Sequence, residues 1–228
     1  MSMTARYTLF QLDKLSDRFK VGESFPKGVK KHYNISPTQS AVVIVVRDGV
    51  RVIEMMKWGF IPTSAKNANS VFRYKTHSTK SESIFDKPTW RDAIRTQRCL
   101  VPSNGYYEWH VSSSGKKPYF IRPKDQDVFA MAGIYSSWQD PDGVTYGVYA
   151  IVTTAANNQA SDIHGRMPII LRPEDEANWL DPTIADAGLL YDYMRPYTDD
   201  MLLISPVSDA VNSIKGDSPE MMTRLKTA

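Results

Sequence analysis

The sequence predicts an α+β fold: a mainly antiparallel β-sheet curled into a barrel-like core, with a few peripheral helices. Two observations carry this prediction. Strand-like segments follow one another with few helices between them, several joined by glycine-containing turns, and helical periodicity is confined to three short stretches. A long series of strands needs closure or covering to protect its edges, which favours a barrel-like sheet.

In chain order, Leu12, Leu15 and Phe19 fall on one face of a short helix. Ala41 to Val46 is an unbroken apolar, β-branched run, Asp48-Gly49 supplies a turn, and Val50 to Lys57 is its expected hairpin partner. Trp90, Ala93 and Ile94 mark a second helix after Pro88. Strands are then expected over Leu100 to Pro102, Tyr106 to Val111, Pro118 to Arg122, Val128 to Tyr135 and Tyr146 to Thr154. Ser112-Ser113-Ser114-Gly115 reads as a hairpin tip and Asp142-Gly143 as a turn. Pro173 opens a third helix ending near Leu180, and Met201 to Pro206 is a final strand.

At 228 residues the chain is long enough for one domain with a full core, so residues 1–228 are read as a single unit. No apolar run approaches the length of a membrane helix, and Met1 to Phe10 lacks the apolar centre of a signal peptide. A cytoplasmic protein without membrane contact is expected. The lone Cys99 excludes an internal disulfide and a cysteine cluster for zinc, and the four histidines are scattered, so neither metal nor cofactor is expected. The net charge of +3 is slight, and a nucleic-acid surface would have to be a local patch.

Four segments carry candidate chemistry. In Gly105-Tyr106-Tyr107-Glu108-Trp109, strand alternation sends Tyr107 and Trp109 to one face and Tyr106 and Glu108 to the other. An inward Glu108 would be desolvated and suited to general-acid work near neutral pH; taken alone, a carboxylate on a sheet is by default solvent-facing. In Asp162-Ile163-His164-Gly165-Arg166-Met167-Pro168, His164 suits proton transfer and Arg166 a phosphate, against the plainer reading of a histidine bonded within its own loop. Tyr33-Asn34-Ile35-Ser36-Pro37 fixes an extended turn in which Asn34 is by default structural. In Trp58-Gly59-Phe60-Ile61-Pro62 the tryptophan is by default core and not a stacking platform.

In this order and spacing these segments resemble the SOS response-associated peptidase (SRAP) family. The resemblance also takes in Thr4-Ala5-Arg6-Tyr7, Ser78-Thr79-Lys80-Ser81-Glu82-Ser83, Val211-Asn212 and Asp217-Ser218-Pro219-Glu220, and so covers nearly the whole chain. It implies a protein of the DNA damage response that recognises abasic sites in single-stranded DNA. In the family an N-terminal cysteine closes a thiazolidine on the ring-opened sugar, and the counterparts of Glu108 and His164 transfer protons. By the same resemblance Thr4 and Ser78 fall at catalytic positions, and Arg6, Asn34, Lys80 and Arg166 lie along the site or the DNA backbone. A monomer is expected.

This chain departs from the family pattern in four places. Thr4 stands at the cysteine position, Ser78 at an asparagine, Lys80 at an arginine and Ser64 at a tryptophan, and Met1 and Ser2 precede Met3. Without the thiol, an α-amine can still form an imine, so reversible binding with a transient adduct is the expectation. Two other readings compete: a self-processing peptidase with Thr4 as N-terminal nucleophile, and a DNA-binding module that kept the fold without the reaction. Cys99, at the start of an apolar strand, is a poor nucleophile.

Overall fold

A computed structural model describes residues 6–22, 24–63, 65, 76–113, 115–140 and 142–225. Its thirteen described strands are β1 (Arg6–Leu9), β2 (His32–Ile35), β3 (Ser40–Arg47), β4 (Val50–Trp58), β5 (Ser78–Lys80), β6 (Arg98–Ser103), β7 (Gly105–Ser112), β8 (Gly115–Pro123), β9 (Phe129–Gln139), β10 (Thr145–Ala155), β11 (Arg166–Pro168), β12 (Ile170–Leu171) and β13 (Leu202–Pro206). Among the described residues five short α-helices accompany them: α1 (Leu15–Phe19), α2 (Ala93–Thr96), α3 (Asn158–Ser161), α4 (Glu176–Leu180) and α5 (Ala187–Tyr193).

Closure is the central feature. The path β10-β4-β3-β6-β9 returns to β10 through the β9–β10 ladder, making a ring of five strands to which β5, β11 and β12 add. The second sheet, β13-β8-β7-β1-β2, packs against this barrel. Tyr106, Ile121 and Leu202 from the second sheet share one core with Val43, Ile44, Trp58 and Tyr149 from the barrel. Each such buried side chain contributes about 1.5–3 kcal/mol relative to exposure, which holds the two layers in register.

Each segment expected to be a strand forms one; most ends extend by one to a few residues where ladder bonds continue beyond the apolar run, whereas β9 and β13 each begin one residue later than expected, at Phe129 and Leu202. The β3–β4 hairpin turns at Asp48 (φ 51°) and Gly49 (φ 78°), the paired positive angles of a type I′ turn. The sheet is mainly antiparallel as expected, with two exceptions: β4 and β5 each run parallel to β10. Both strands are separated from β10 by long stretches of chain, which permits a parallel approach.

Pro37 is placed as the sequence implies, in the turn Ser36 to Gln39, closed by Gln39 N–H donating to the Ser36 carbonyl at 3.2 Å. Thr38 takes φ 79° there, a left-handed angle that strains a β-branched residue. It is held because its N–H donates to the Trp58 carbonyl at 2.7 Å. Trp58 is core, fully buried, edge-on to Tyr7 and with its indole N–H donating to the His77 carbonyl at 2.7 Å. Among the described residues no helix is long and apolar enough to cross a membrane.

Candidate functional site

Strand β7 builds the site. Alternation along it sends Tyr106 into the main core and Tyr107 into a smaller cluster with Val207, Val211 and Met221. Glu108 therefore shares the face of Tyr106, and the solvent-facing default is corrected: it is only 3% exposed. Its nearness adds to burial in raising the phenol of Tyr106 well above the usual tyrosine range. The Tyr106 hydroxyl has no hydrogen-bond partner among the described residues.

His164 reaches this carboxylate from the loop between α3 and β11, with Nδ1 3.9 Å from Glu108 Oε2. Helix α3 is started by Asn157, whose side chain accepts from the Ala160 N–H at 2.9 Å. The Ile163 and His164 N–H groups both donate to the Ala160 carbonyl at 3.0 Å, which turns the chain toward β7. The same Nδ1 lies 3.2 Å from both the main-chain nitrogen and oxygen of Arg166. As an acceptor it takes the Arg166 N–H; with a proton on Nδ1 it donates to the Arg166 carbonyl. The plainer reading of His164, bonded within its own loop, thus holds, and the same ring also lies beside a buried acid.

Arg166 is placed beside them but is already engaged. Its guanidinium grips Glu82 bidentately, at 2.5 and 2.9 Å, and Nη2 also donates to the Thr153 carbonyl at 2.7 Å. Hydrogen bonding from Arg166 holds the Glu82 carboxyl below the usual range. Arg166 Nε is buried without a partner among the described residues. Ser78 and Lys80 lie on β5 across from Ile151 and Thr153 of β10, Ser78 buried and Lys80 exposed.

Arg6 and Asn34 form a second group. Asn34, 2% exposed, accepts from Arg6 Nη1 at 2.9 Å and donates to the carbonyls of Ser213 and Gly216 at 2.9 and 3.0 Å. Arg6 also donates to the Val211 carbonyl at 2.8 Å, and Trp109 Nε1 to Asn212 Oδ1 at 2.8 Å. Asp217 accepts from the N–H groups of Tyr33 and Asn34 at 2.5 and 3.1 Å and pairs with His32 Nδ1 at 2.8 Å. The C-terminal segment is thereby strapped onto β1, β2 and β7, and the structural reading of Asn34 holds. The strand pairing sets Arg6 opposite Tyr107, adjacent to Glu108. Thr4 and Ser64 lie outside the described residues.

Of the four residues expected to meet DNA, only Lys80 is exposed; Arg6 and Arg166 are partly buried and Asn34 is buried. Cys99 is fully buried, and burial pushes its thiol well up, which leaves it inert as a nucleophile. Sequence reasoning missed the partners that fix the site, notably Glu82 and His110. No periodicity or spacing connects them to His164 or Arg166. Among the described residues no group of three or more His, Cys, Asp or Glu side chains is arranged to hold a metal ion.

Fold and distances together define a class: an α+β protein with a closed barrel whose flanking sheet offers a shielded acid to an imidazole. The chain belongs to the SOS response associated peptidase (SRAP) family, whose sequence profile matches residues 3–214. It is 34% identical over 223 residues to the abasic site processing protein YoqW of Bacillus subtilis, covering 96% of this chain and 99% of that protein. To the abasic site processing protein HMCES of Gallus gallus it is 31% identical over 225 residues, covering 85% of this chain and 66% of that one. A crystal structure of a protein from Bacteroides thetaiotaomicron is similar throughout, with a TM-score of 0.85, 26% identity and coverage of 99% and 98%.

Proposed function

We propose that this protein binds single-stranded DNA at abasic sites, in the DNA damage response, and holds the opened sugar reversibly. The observation that carries the reading is the buried Glu108 carboxylate 3.9 Å from the His164 imidazole, on the strand beside which β1 begins at Arg6. The relatives that share this chain's length are named abasic site processing proteins, which supports the same substrate.

The proposed chemistry starts at an α-amine, whose ordinary pKa of about 7.7–8.0 leaves a useful fraction neutral near pH 7. Its lone pair attacks the aldehyde carbon of the ring-opened sugar, giving a carbinolamine. Glu108 or His164 delivers a proton to the hydroxyl, which leaves as water, and a protonated imine remains. Hydrolysis of the Met3–Thr4 peptide bond, with water adding to the released carboxylate, would make Thr4 the first residue and set a hydroxyl where the family has a thiol. Ring closure by that weaker nucleophile gives an adduct that reopens, so the product hydrolyses back to amine and aldehyde. Lys80 supplies an exposed cation toward the strand, and residues 1–228 act as one domain, a reading supported by the core that both sheets share.

Borohydride reduction on an abasic oligonucleotide tests the proposal. A covalent species is expected only when borohydride is present, together with tighter binding to abasic than to intact single strands. A stable adduct without reduction refutes the reversible mode, and equal affinity for both strands refutes lesion recognition. Intact-mass analysis of the same protein identifies the residue that carries the amine.

A further inference from the structure

We propose that His110 is a positioning residue that clasps the His164 loop onto the row of β7 that presents Glu108. Its chemical meaning rests on the abasic-site reading above; the amide-exchange and ring-signal readouts that test it do not. Glu108 and His110 are two residues apart on β7, so their side chains leave the same face of the sheet. Glu108 is buried, while His110 lies nearer the hairpin tip and is half-buried. His110 Nδ1 lies 2.7 Å from the Asp162 carbonyl oxygen, an acceptor only, so that ring nitrogen carries the proton and donates.

Two residues further along the loop, His164 Nδ1 stands 3.9 Å from Glu108 Oε2. Two positions of β7 with a spacing of two thus meet two positions of the loop with the same spacing. The hydrogen bonds of Ile163 and His164 to Ala160 shape the loop internally and do not reach β7. The His110 contact is a direct bond that ties the loop to the strand on which the acid sits. A donor on Nδ1 is present in both the Nδ1–H tautomer and the cation, so the clasp survives protonation of the ring.

The experiment compares wild type, His110→Ala and His110→Asn, the last because its side-chain amide offers an N–H near the position of Nδ1. Hydrogen exchange of the Ile163 and His164 amides and the ring ¹⁵N signals of His164 report on the loop without any DNA. Borohydride trapping on an abasic oligonucleotide reports on its chemistry. His110→Ala is expected to speed exchange about tenfold and to lower the trapped yield by a similar factor, while His110→Asn restores both to within about twofold. Affinity for intact single strands should not change. Exchange and ring signals in His110→Ala that match wild type overturn the proposal, as does an asparagine variant as impaired as alanine. If wild type traps no abasic oligonucleotide the abasic-site reading fails, and the exchange and ring signals still decide the clasp.

Discussion

Replacing Glu82 by glutamine removes the anion that closes the bidentate grip on Arg166, and its cost can be worked from the geometry. A hydrogen bond to a charged group contributes about 1.5–3 kcal/mol, and glutamine keeps one acceptor of the two. The Glu82 side chain is 53% exposed, so solvent screening pulls its Coulomb contribution toward the roughly 0–1 kcal/mol of surface pairs. Arg166 is only 15% exposed and already has one unpartnered nitrogen, so its remaining donors are costly to leave unmet. The net expectation is a loss of about 1–2 kcal/mol at neutral pH, which for a chain of this size lowers Tm by roughly 2–8 °C. The sign with pH follows from the lowered native pKa of Glu82. Its contribution is full above the ordinary carboxylate value of about 4.3 and is lost as pH falls through the lower native value. Thermal unfolding of wild type and Glu82→Gln, followed by circular dichroism from pH 7 to pH 3, should show a gap that closes on acidification. Equal Tm values at pH 7, or a gap that widens as pH falls, would refute the reasoning.

Three further outcomes are expected. Thr38→Gly relieves a left-handed backbone angle and should raise stability by about 1 kcal/mol after the entropy of glycine is subtracted, seen as a higher Tm; a loss of stability would show that Thr38 is not strained. Asp217→Ala leaves the Tyr33 and Asn34 N–H groups without their acceptor, so it should cost about 1–3 kcal/mol in denaturant unfolding and speed amide exchange at both residues. Cys99 should resist thiol reagents in the native protein and react only on unfolding, and Cys99→Ala should leave borohydride trapping unchanged; native labelling at the rate of a free thiol would contradict its burial.

Much of the fold is legible in the sequence because its information is local. The apolar run Ala41 to Val46 and the Asp48-Gly49 turn specify a hairpin without help from the rest of the chain. The elements that escape notice are short: strands β1 and β2 and helices α3 and α5, together with Ser78–Lys80, Arg166–Pro168 and Ile170–Leu171, which pair as strands because the curved face of β10 and β9 offers them free ladder positions. A strand of two or three residues has no period to detect. The parallel approach of β4 and β5 to β10 is likewise a property of closure, which no segment carries by itself.

The site divides along the same line. Glu108 and His164 stand out in sequence by residue type and by their aromatic or loop setting, and alternation on β7 correctly assigns Glu108 to the face of Tyr106. What alternation leaves open is which face is shielded, since Tyr106 and Tyr107 are both aromatic and both fully buried. Partners are harder to see than actors. Glu82 meets Arg166 from 84 positions away, and His110 meets Asp162 from 52. The two residues proposed for proton transfer are titratable types that a sequence can nominate, although each alone reads by default as structural and the family resemblance is what selects it. Those that hold them need only an acceptor or donor at one point in space, a demand that many residue types meet. The resemblance, and not residue type alone, therefore selects Glu108 and His164, whereas Glu82 and His110 acquire partners only once β5, β7 and the loop before β11 stand side by side. This also accounts for Arg166: its charge suggests a phosphate ligand, but its surroundings give it to Glu82. Any phosphate it binds must compete with that carboxylate, so Glu82→Gln should also strengthen, not weaken, the salt-dependent part of single-strand binding.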